Sequence, residues 1–526
     1  MLKKSSLWMG MVIPLLLMVS CVYHPPEWNP ENKMTPPDLE KSLAQAEAGV
    51  NQARESRSLD QPTTMVLTRD GVILSALARN KSLAVQKFSP RIATTRIPEA
   101  LGAFDPHLLA TTSYGKTTVP LIPGYDPLIT RERDASLTLS QYNPSGAEIF
   151  LSGGLSRVRS SPGEPEYTGS WSVGVNQALL RGSNEQVNLV SLRQAENLDL
   201  RSRYELRGFV MDLVQSVEYA YWNLVLAKEK LKISEFSVLL AKEQLQLNKN
   251  FIAVGKLSRD ALVSAEAELA SREADLVDAY AEVKARTIDL IRLLDPQFDA
   301  QWSIVFETAD PPDAALIDLN PDVSARLAAL YRPELAQARL DFKNSELEIV
   351  RTKNGLLPKL DAFASYGRFS AGDSSSEAFS HLNDTRFENY EIGLSFETSL
   401  RNTAEKAQNQ RAEFQKQMAE AALDNLEQLL QADVRLAAIE VDRQWQRIPA
   451  TEHAVKSREE ELRIERSRFL EGTSTNLDVL QVHRNLIQAQ LDEVTSRIRY
   501  IEALTALYHA EGTLLARRGI GIDVEK

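Results

Sequence analysis

Pro106-His107-Leu108-Leu109-Ala110-Thr111-Thr112-Ser113-Tyr114-Gly115-Lys116 and Pro358-Lys359-Leu360-Asp361-Ala362-Phe363-Ala364-Ser365-Tyr366-Gly367-Arg368 share one pattern, P-x-L-x-A-x-x-S-Y-G-[K/R]. Further on, Trp171-Ser172-Val173-Gly174-Val175 recurs as Tyr390-Glu391-Ile392-Gly393-Leu394. Later still, Gly255-Lys256-Leu257-Ser258-Arg259-Asp260-Ala261-Leu262 has a partner in the stretch from Gly472 to Leu480. The order in both halves is helix, strand, strand, long helix, glycine turn, helix. Such self-similarity marks a duplicated unit rather than two different domains.

The strand segments alternate. Tyr390, Ile392, Leu394 and Phe396 fall on one face, and Glu391, Gly393, Ser395 and Glu397 on the other. Leu108, Ala110, Thr112 and Tyr114 form the less polar face of the earlier strand. This period-2 pattern fits either a half-buried soluble sheet or the wall of an outer-membrane barrel. The aromatic residue at the same strand position in both halves, Trp171 and Tyr390, suits an interfacial girdle. An additional alternating stretch from Ala135 to Leu155, around Tyr142-Asn143-Pro144-Ser145-Gly146, reads either as an extended hairpin or as an added strand pair.

The helical pattern runs from about Asn184 to Ala253. Val210, Leu213, Val217, Ala220, Leu224, Ala227 and Leu231 are spaced alternately by three and four, a heptad seam. A helix of some 70 residues is roughly 100 Å long at 1.5 Å per residue. The second half repeats this from about Thr403 to Phe469, with one stripe at Leu423, Leu426, Leu430, Val434, Ala437 and Val441. A second stripe at Leu429, Leu436 and Ile439 gives this helix two apolar sides. Two sides suit a helix with neighbours left and right, as in the wall of a tube. Pro449 is expected to kink or break it.

Composition removes several alternatives. The 526 residues carry 60 Lys and Arg against 72 Asp and Glu, a net charge of −12, which does not suit nucleic-acid binding. One Cys and six scattered His exclude a disulfide scaffold and the common zinc and iron–sulfur motifs, so no cofactor is expected. No Walker A, G-x-S-x-G or G-x-G-x-x-G motif is present, and an enzyme is not expected.

Lys3 and Lys4 precede an apolar run from Leu7 to Val19, a signal-peptide pattern over residues 1–20. The run ends in Leu17-Met18-Val19-Ser20-Cys21, which resembles a bacterial lipobox and implies lipidation of Cys21. Val22 after it favours the outer membrane by resemblance to the lipoprotein sorting rule. Residues 21–64, with Pro25-Pro26 and Pro36-Pro37, read as an extended tether. The two repeats occupy 65–300 and 301–515, and 516–526 form a C-terminal tail.

Taken together, the chain resembles the TolC-like outer-membrane factor family, the exit ducts of tripartite efflux pumps and type I secretion systems. The paired strand openings carry the resemblance, with Gln177-Ala178-Leu179-Leu180-Arg181-Gly182, Arg332-Pro333-Glu334-Leu335 and the two glycine turns. It implies an α+β membrane protein acting as a homotrimer. Four strands per protomer would form a 12-stranded transmembrane β-barrel, continuous with a periplasmic α-helical coiled-coil barrel. The implied partners are a periplasmic adaptor (membrane fusion) protein, an inner-membrane transporter and the lipids of the outer membrane. Gly255, Lys256, Ser258, Gly472, Thr473 and Ser474 would form the adaptor-contact tips, and Asp478 the pore constriction. Gln481 stands where some members carry a second acidic residue. Chemically, Gly255 and Gly472 read as helix C-caps, with Ser258 and Thr475 as N-caps. A structural coiled-coil envelope lipoprotein would account for the helices and Cys21 but not for duplicated amphipathic strands; a periplasmic enzyme is the other alternative, and nothing recurs at catalytic spacing.

Overall fold

The structure is a computed structural model; it describes residues 64–120, 126–294, 305–312, 315–317, 319–383 and 387–521. Cys21, the signal sequence and nearly all of the tether lie outside the described residues. The elements discussed here belong to one compact unit, residues 64–302 and 306–526.

Helix α1 (Phe88–Leu101) leads into four strands: β1 (His107–Val119), β2 (Leu128–Tyr142), β3 (Ala147–Ser161) and β4 (Glu166–Ala178). The long helix α2 (Val190–Ala253) and its return α3 (Asp260–Leu294) complete the first repeat. The second repeat runs through α4 (Pro333–Gly355), β5 (Lys359–Gly372), β6 (Glu388–Glu397), α5 (Thr403–Glu471) and α6 (Asn476–Ala510), followed by the short α7 (Leu514–Arg517). No helix among the described residues is long and apolar enough to cross a membrane.

The strands form one antiparallel sheet in the order β1-β2-β3-β4-β5-β6. The resemblance implied four strands, and the sheet has six. The stretch around Ala135–Leu155 belongs to two full strands joined by a turn at Asn143–Gly146. β2 pairs with β1 from Leu128 to Ser140 and with β3 from Ile129 to Tyr142, so neither added strand is a loop extension. The turn is fixed at the helix-bearing end. Asn188 Nδ2 donates to Pro144 O at 2.8 Å, Gln177 Nε2 to Ser145 O at 3.0 Å and Ala178 N to Gly146 O at 3.0 Å. Phe150 of β3 packs over Gly174 of β4 just as Phe363 of β5 packs over Gly393 of β6. A Cβ at either glycine would stand 2.4 Å from the ring.

Register sorts the side chains cleanly. Leu108, Leu139, Leu151, Val173, Ala364 and Ile392 lie on one face, and Thr111, Ser136, Ser152, Ser172, Ser365 and Glu391 on the other. The apolar face is open in the protomer, with Leu151 51% and Ile392 79% exposed. The sheet edges, β1 and β6, have no further strand partner among the described residues.

The helices follow the heptad seam. Val210, Leu213, Val217, Leu224 and Ala227 are buried, and so are Leu430, Val434 and Val441 of α5. The second stripe, Leu429, Leu436 and Ile439, is exposed in the protomer. Toward the strands, α2 packs on α1 and α4, and α4 on α5; toward the glycine turns, α2, α3, α5 and α6 run together. The break expected at Pro449 does not occur, since α5 is continuous through it. Packing on α6 on either side holds the helix. Trp445 lies 5.2 Å from Tyr500, and the Thr451 and Ser496 hydroxyls are 2.9 Å apart. Arg518, in the stretch read as a tail, grips the fully buried Glu218 of α2 at 2.5 and 2.8 Å.

Candidate functional site

The two glycine turns end the longest helices in the same way. Gly255 and Gly472 adopt left-handed φ values of 73° and 79°. Beyond them, Lys256 N donates to Phe251 O at 2.8 Å, and Thr473 N to Arg468 O at 2.9 Å. These are the long bonds of a Schellman cap, which satisfy carbonyls a helix end leaves open. No neighbour lies within 4 Å of a Cβ built on either glycine, so the requirement for glycine is conformational, not steric.

The turns lie side by side, 217 residues apart in sequence. Between them runs a groove of about 560 Å³ lined by Phe251, Lys256, Ser258, Phe469, Gly472 and Ser474, among others. Phe251 and Phe469 meet across it with ring centroids 5.7 Å apart, and Lys256 Nζ sits 5.9 Å from the Phe251 ring. Val254, Leu470 and Leu477 project from the rim, between 56% and 67% exposed. Four of the six residues expected at the tips, Lys256, Ser258, Gly472 and Ser474, line this one groove, and Gly255 and Thr473 adjoin them in sequence.

Asp478 is exposed at the start of α6. Its Oδ2 accepts from Thr475 N at 3.1 Å and from Thr475 Oγ1 at 2.6 Å, while Asp478 N donates to Thr475 Oγ1 at 3.3 Å, a complete capping box. The Thr475 hydroxyl, and then its backbone N–H, hold the carboxyl below the usual aspartate range. Ser258 is placed differently, with its hydroxyl donating to Asp260 Oδ2 at 3.5 Å. Gln481 bonds along its own helix to Asn485 at 3.0 Å.

Behind the groove lies a buried amide cluster that sequence reasoning missed. Asn476 Oδ1 accepts from Asn248 Nδ2 at 2.8 Å and from Gln244 Nε2 at 3.1 Å, and Asn248 Nδ2 also reaches Ala261 O at 3.2 Å. One side chain thus ties α2, α3 and α6 together where the turns meet. The only local signal was a pair of amides four apart, Gln244 and Asn248, on a helix whose buried positions are mostly apolar. Deeper in, Glu268 accepts from Arg484 at 2.7 Å and from Arg272 at 2.8 Å. Burial acts to raise its pKa, but the two arginines outweigh it and the carboxyl sits below its usual value. Beside it, burial holds the His483 pKa down to about 4, and Arg466 adds to the effect. This imidazole is neutral at ordinary pH.

The arrangement contains two caps, a groove and a buried polar brace. Comparison with known proteins gives the family and the fold. The model of the outer membrane efflux protein family matches residues 72–295 and 325–513. The chain is 25% identical over 323 residues to the proteases secretion protein PrtF of Dickeya chrysanthemi, a match covering 61% of this chain and 69% of that one. Among solved structures, the outer-membrane channel OprN is similar with a TM-score of 0.65 at 15% identity, over 85% of this chain and 90% of that one. The Campylobacter jejuni CmeC outer membrane channel gives 0.62 at 14% identity, over 87% and 90%.

Proposed function

The chain belongs to the outer membrane efflux protein family and is an outer-membrane exit duct for efflux or secretion; from that premise we propose how it closes and how it is gated. Three copies join β6 of one to β1 of the next, so that 18 strands form the transmembrane barrel rather than the 12 of the simpler family scheme. The observation that carries this reading is a six-stranded sheet with one apolar face open and both edges unpaired among the described residues. Lipid tolerates no free strand edge, because unpaired backbone groups there have no water to bond. The exposed stripe Leu429, Leu436 and Ile439 supports the same closure among the helices.

The groove between the glycine turns receives the tip of a periplasmic adaptor, which connects the duct to an inner-membrane transporter. Asp478, once per copy, rings the constriction. Cys21 carries the lipid anchor, so Cys21→Ser should accumulate unprocessed precursor and lose fatty-acid labelling while the barrel still inserts. To test closure, cysteines placed along β1 and β6 of a Cys21→Ser background are cross-linked in cells. A ladder ending at three supports the reading; products ending at two, or none at any position, would sink it.

A further inference from the structure

Charge on the six strands is sorted by face, with Lys359 of β5, paired to Asp361, the exception on the polar side. Lys116, Arg131, Arg133, Arg157, Arg159 and Arg368 all lie on the apolar face, which holds one acidic residue, Glu388. The opposite face carries Glu132, Asp134, Glu148, Glu166 and three further carboxylates on β5 and β6. Every one of the six cations sits toward the strand ends remote from the long helices, past the apolar band of Leu137, Leu139 and Leu151; the short helix Ser375–Ser380 at that end lies against Gly169 and Ser370 on the same face and leaves β1 to β3 uncovered.

Register places the cations in rows. Lys116, Arg131 and Arg159 stand directly opposite one another on β1, β2 and β3. The adjoining row reads Tyr114, Arg133, Arg157, Tyr167 across β1 to β4. Arg133 lies 5.6 Å from the Tyr114 ring and Arg157 5.5 Å from the Tyr167 ring. Like charges directly opposite on neighbouring strands are destabilising, and here two Arg–Arg pairs occur side by side. None of the six makes an ion pair among the described residues, and Arg157 Nε is buried without a hydrogen-bond partner.

We propose that this belt binds the phosphates of lipids in the outer leaflet, and that the added strands β2 and β3, which carry four of the six cations, form its centre. The proposal rests on the barrel reading above. In that setting the apolar band meets acyl chains, the aromatic rings lie at the interface, and arginine stems snorkel so that their heads reach the headgroups. A guanidinium fork matches phosphate oxygens with two parallel bonds, and an anion between the rows removes the Arg–Arg repulsion. The occupant is a phosphorylated lipid rather than free phosphate, because the cations adjoin a surface that only acyl chains would cover.

The test uses the full-length oligomer extracted from outer membranes in mild detergent. Parent protein and the variant R131Q/R133Q/R157Q/R159Q are compared for co-purified phosphorylated lipid by mass spectrometry. The variant is expected to lose at least fivefold; equal retention overturns the proposal. Because the variant can fail to fold, the parent alone is also titrated with micelles containing a diphosphorylated glycolipid or its dephosphorylated form. At least fivefold preference for the phosphorylated form is expected. Equal binding of the two, or displacement of the lipid by millimolar inorganic phosphate, overturns it. Fractionation of the parent as a heat-modifiable outer-membrane oligomer checks the barrel separately, so the failure of one reading is distinguishable from that of the other.

Discussion

Neighbouring residues on β3 give the sharpest test of which face meets lipid. Leu151 lies between Leu139 and Val173 on the apolar face, and Ser152 between Thr138 and Ser172 on the other. Placing an aspartate at Leu151 puts a carboxylate near the middle of the apolar band, at a cost of about 2 kcal/mol. Losing the half-covered leucine adds about 1 kcal/mol. With three copies in the ring, the penalty reaches about 9 kcal/mol if each site contributes alike. Ser152→Asp gives up the 2.7 Å contact with the Ser172 hydroxyl, about 1 kcal/mol, and under the proposed closure its charge would stay in water. The assay is the fraction of heat-modifiable oligomer in outer membranes, read by gel mobility with and without heating. Since 1.4 kcal/mol is a factor of about ten in an equilibrium, Leu151→Asp should lower oligomer yield more than tenfold relative to Ser152→Asp. Equal yields, or a worse result for Ser152→Asp, would refute the assignment of faces.

Three further outcomes follow from the helices. Arg518→Ala strands the buried Glu218 carboxylate and should cost about 3–5 kcal/mol in chemical unfolding, whereas R518M combined with E218Q should cost less. His483 titrates near 4 in the fold against about 6.5 unfolded, so below pH 6.5 the unfolded chain takes up a proton that the fold refuses. Stability should therefore fall by up to about 3 kcal/mol between pH 6.5 and 4, and His483→Gln should flatten that part of the thermal-melting profile. Asp478→Asn should weaken block by multivalent cations in planar bilayers; unchanged block would leave the residue as a cap alone. Because its carboxyl titrates below the ordinary range, the cap is present above that range and is lost only as pH falls through the lowered value.

The long helices were legible because their seam repeats locally: the expected span 403–469 compares with an observed Thr403–Glu471. Both glycine turns were equally plain, since a left-handed cap leaves a sequence mark. The added strands were half legible. Alternation around Ala135–Leu155 was visible, but what makes it a strand pair is its ladder with β1 and β4, which no short window contains. The break expected at Pro449 is the opposite case, because a local breaking tendency yielded to packing along α6. The amide cluster joins Asn248 to Asn476 across 228 residues, and only the fold brings them together.

The extra strand pair also bears on girth. Four helices set side by side at about 9–10 Å occupy roughly 38 Å of circumference per copy. Six strands spaced about 4.8 Å apart and tilted by about 40° occupy nearly the same arc, roughly 38 Å, whereas four would occupy only about 25 Å. A duct closed as proposed above would keep one calibre where helices give way to strands. On that closure, cargo that fits the helical part would meet no narrower collar at the membrane, which is consistent with the proposal that passage is decided at the groove end.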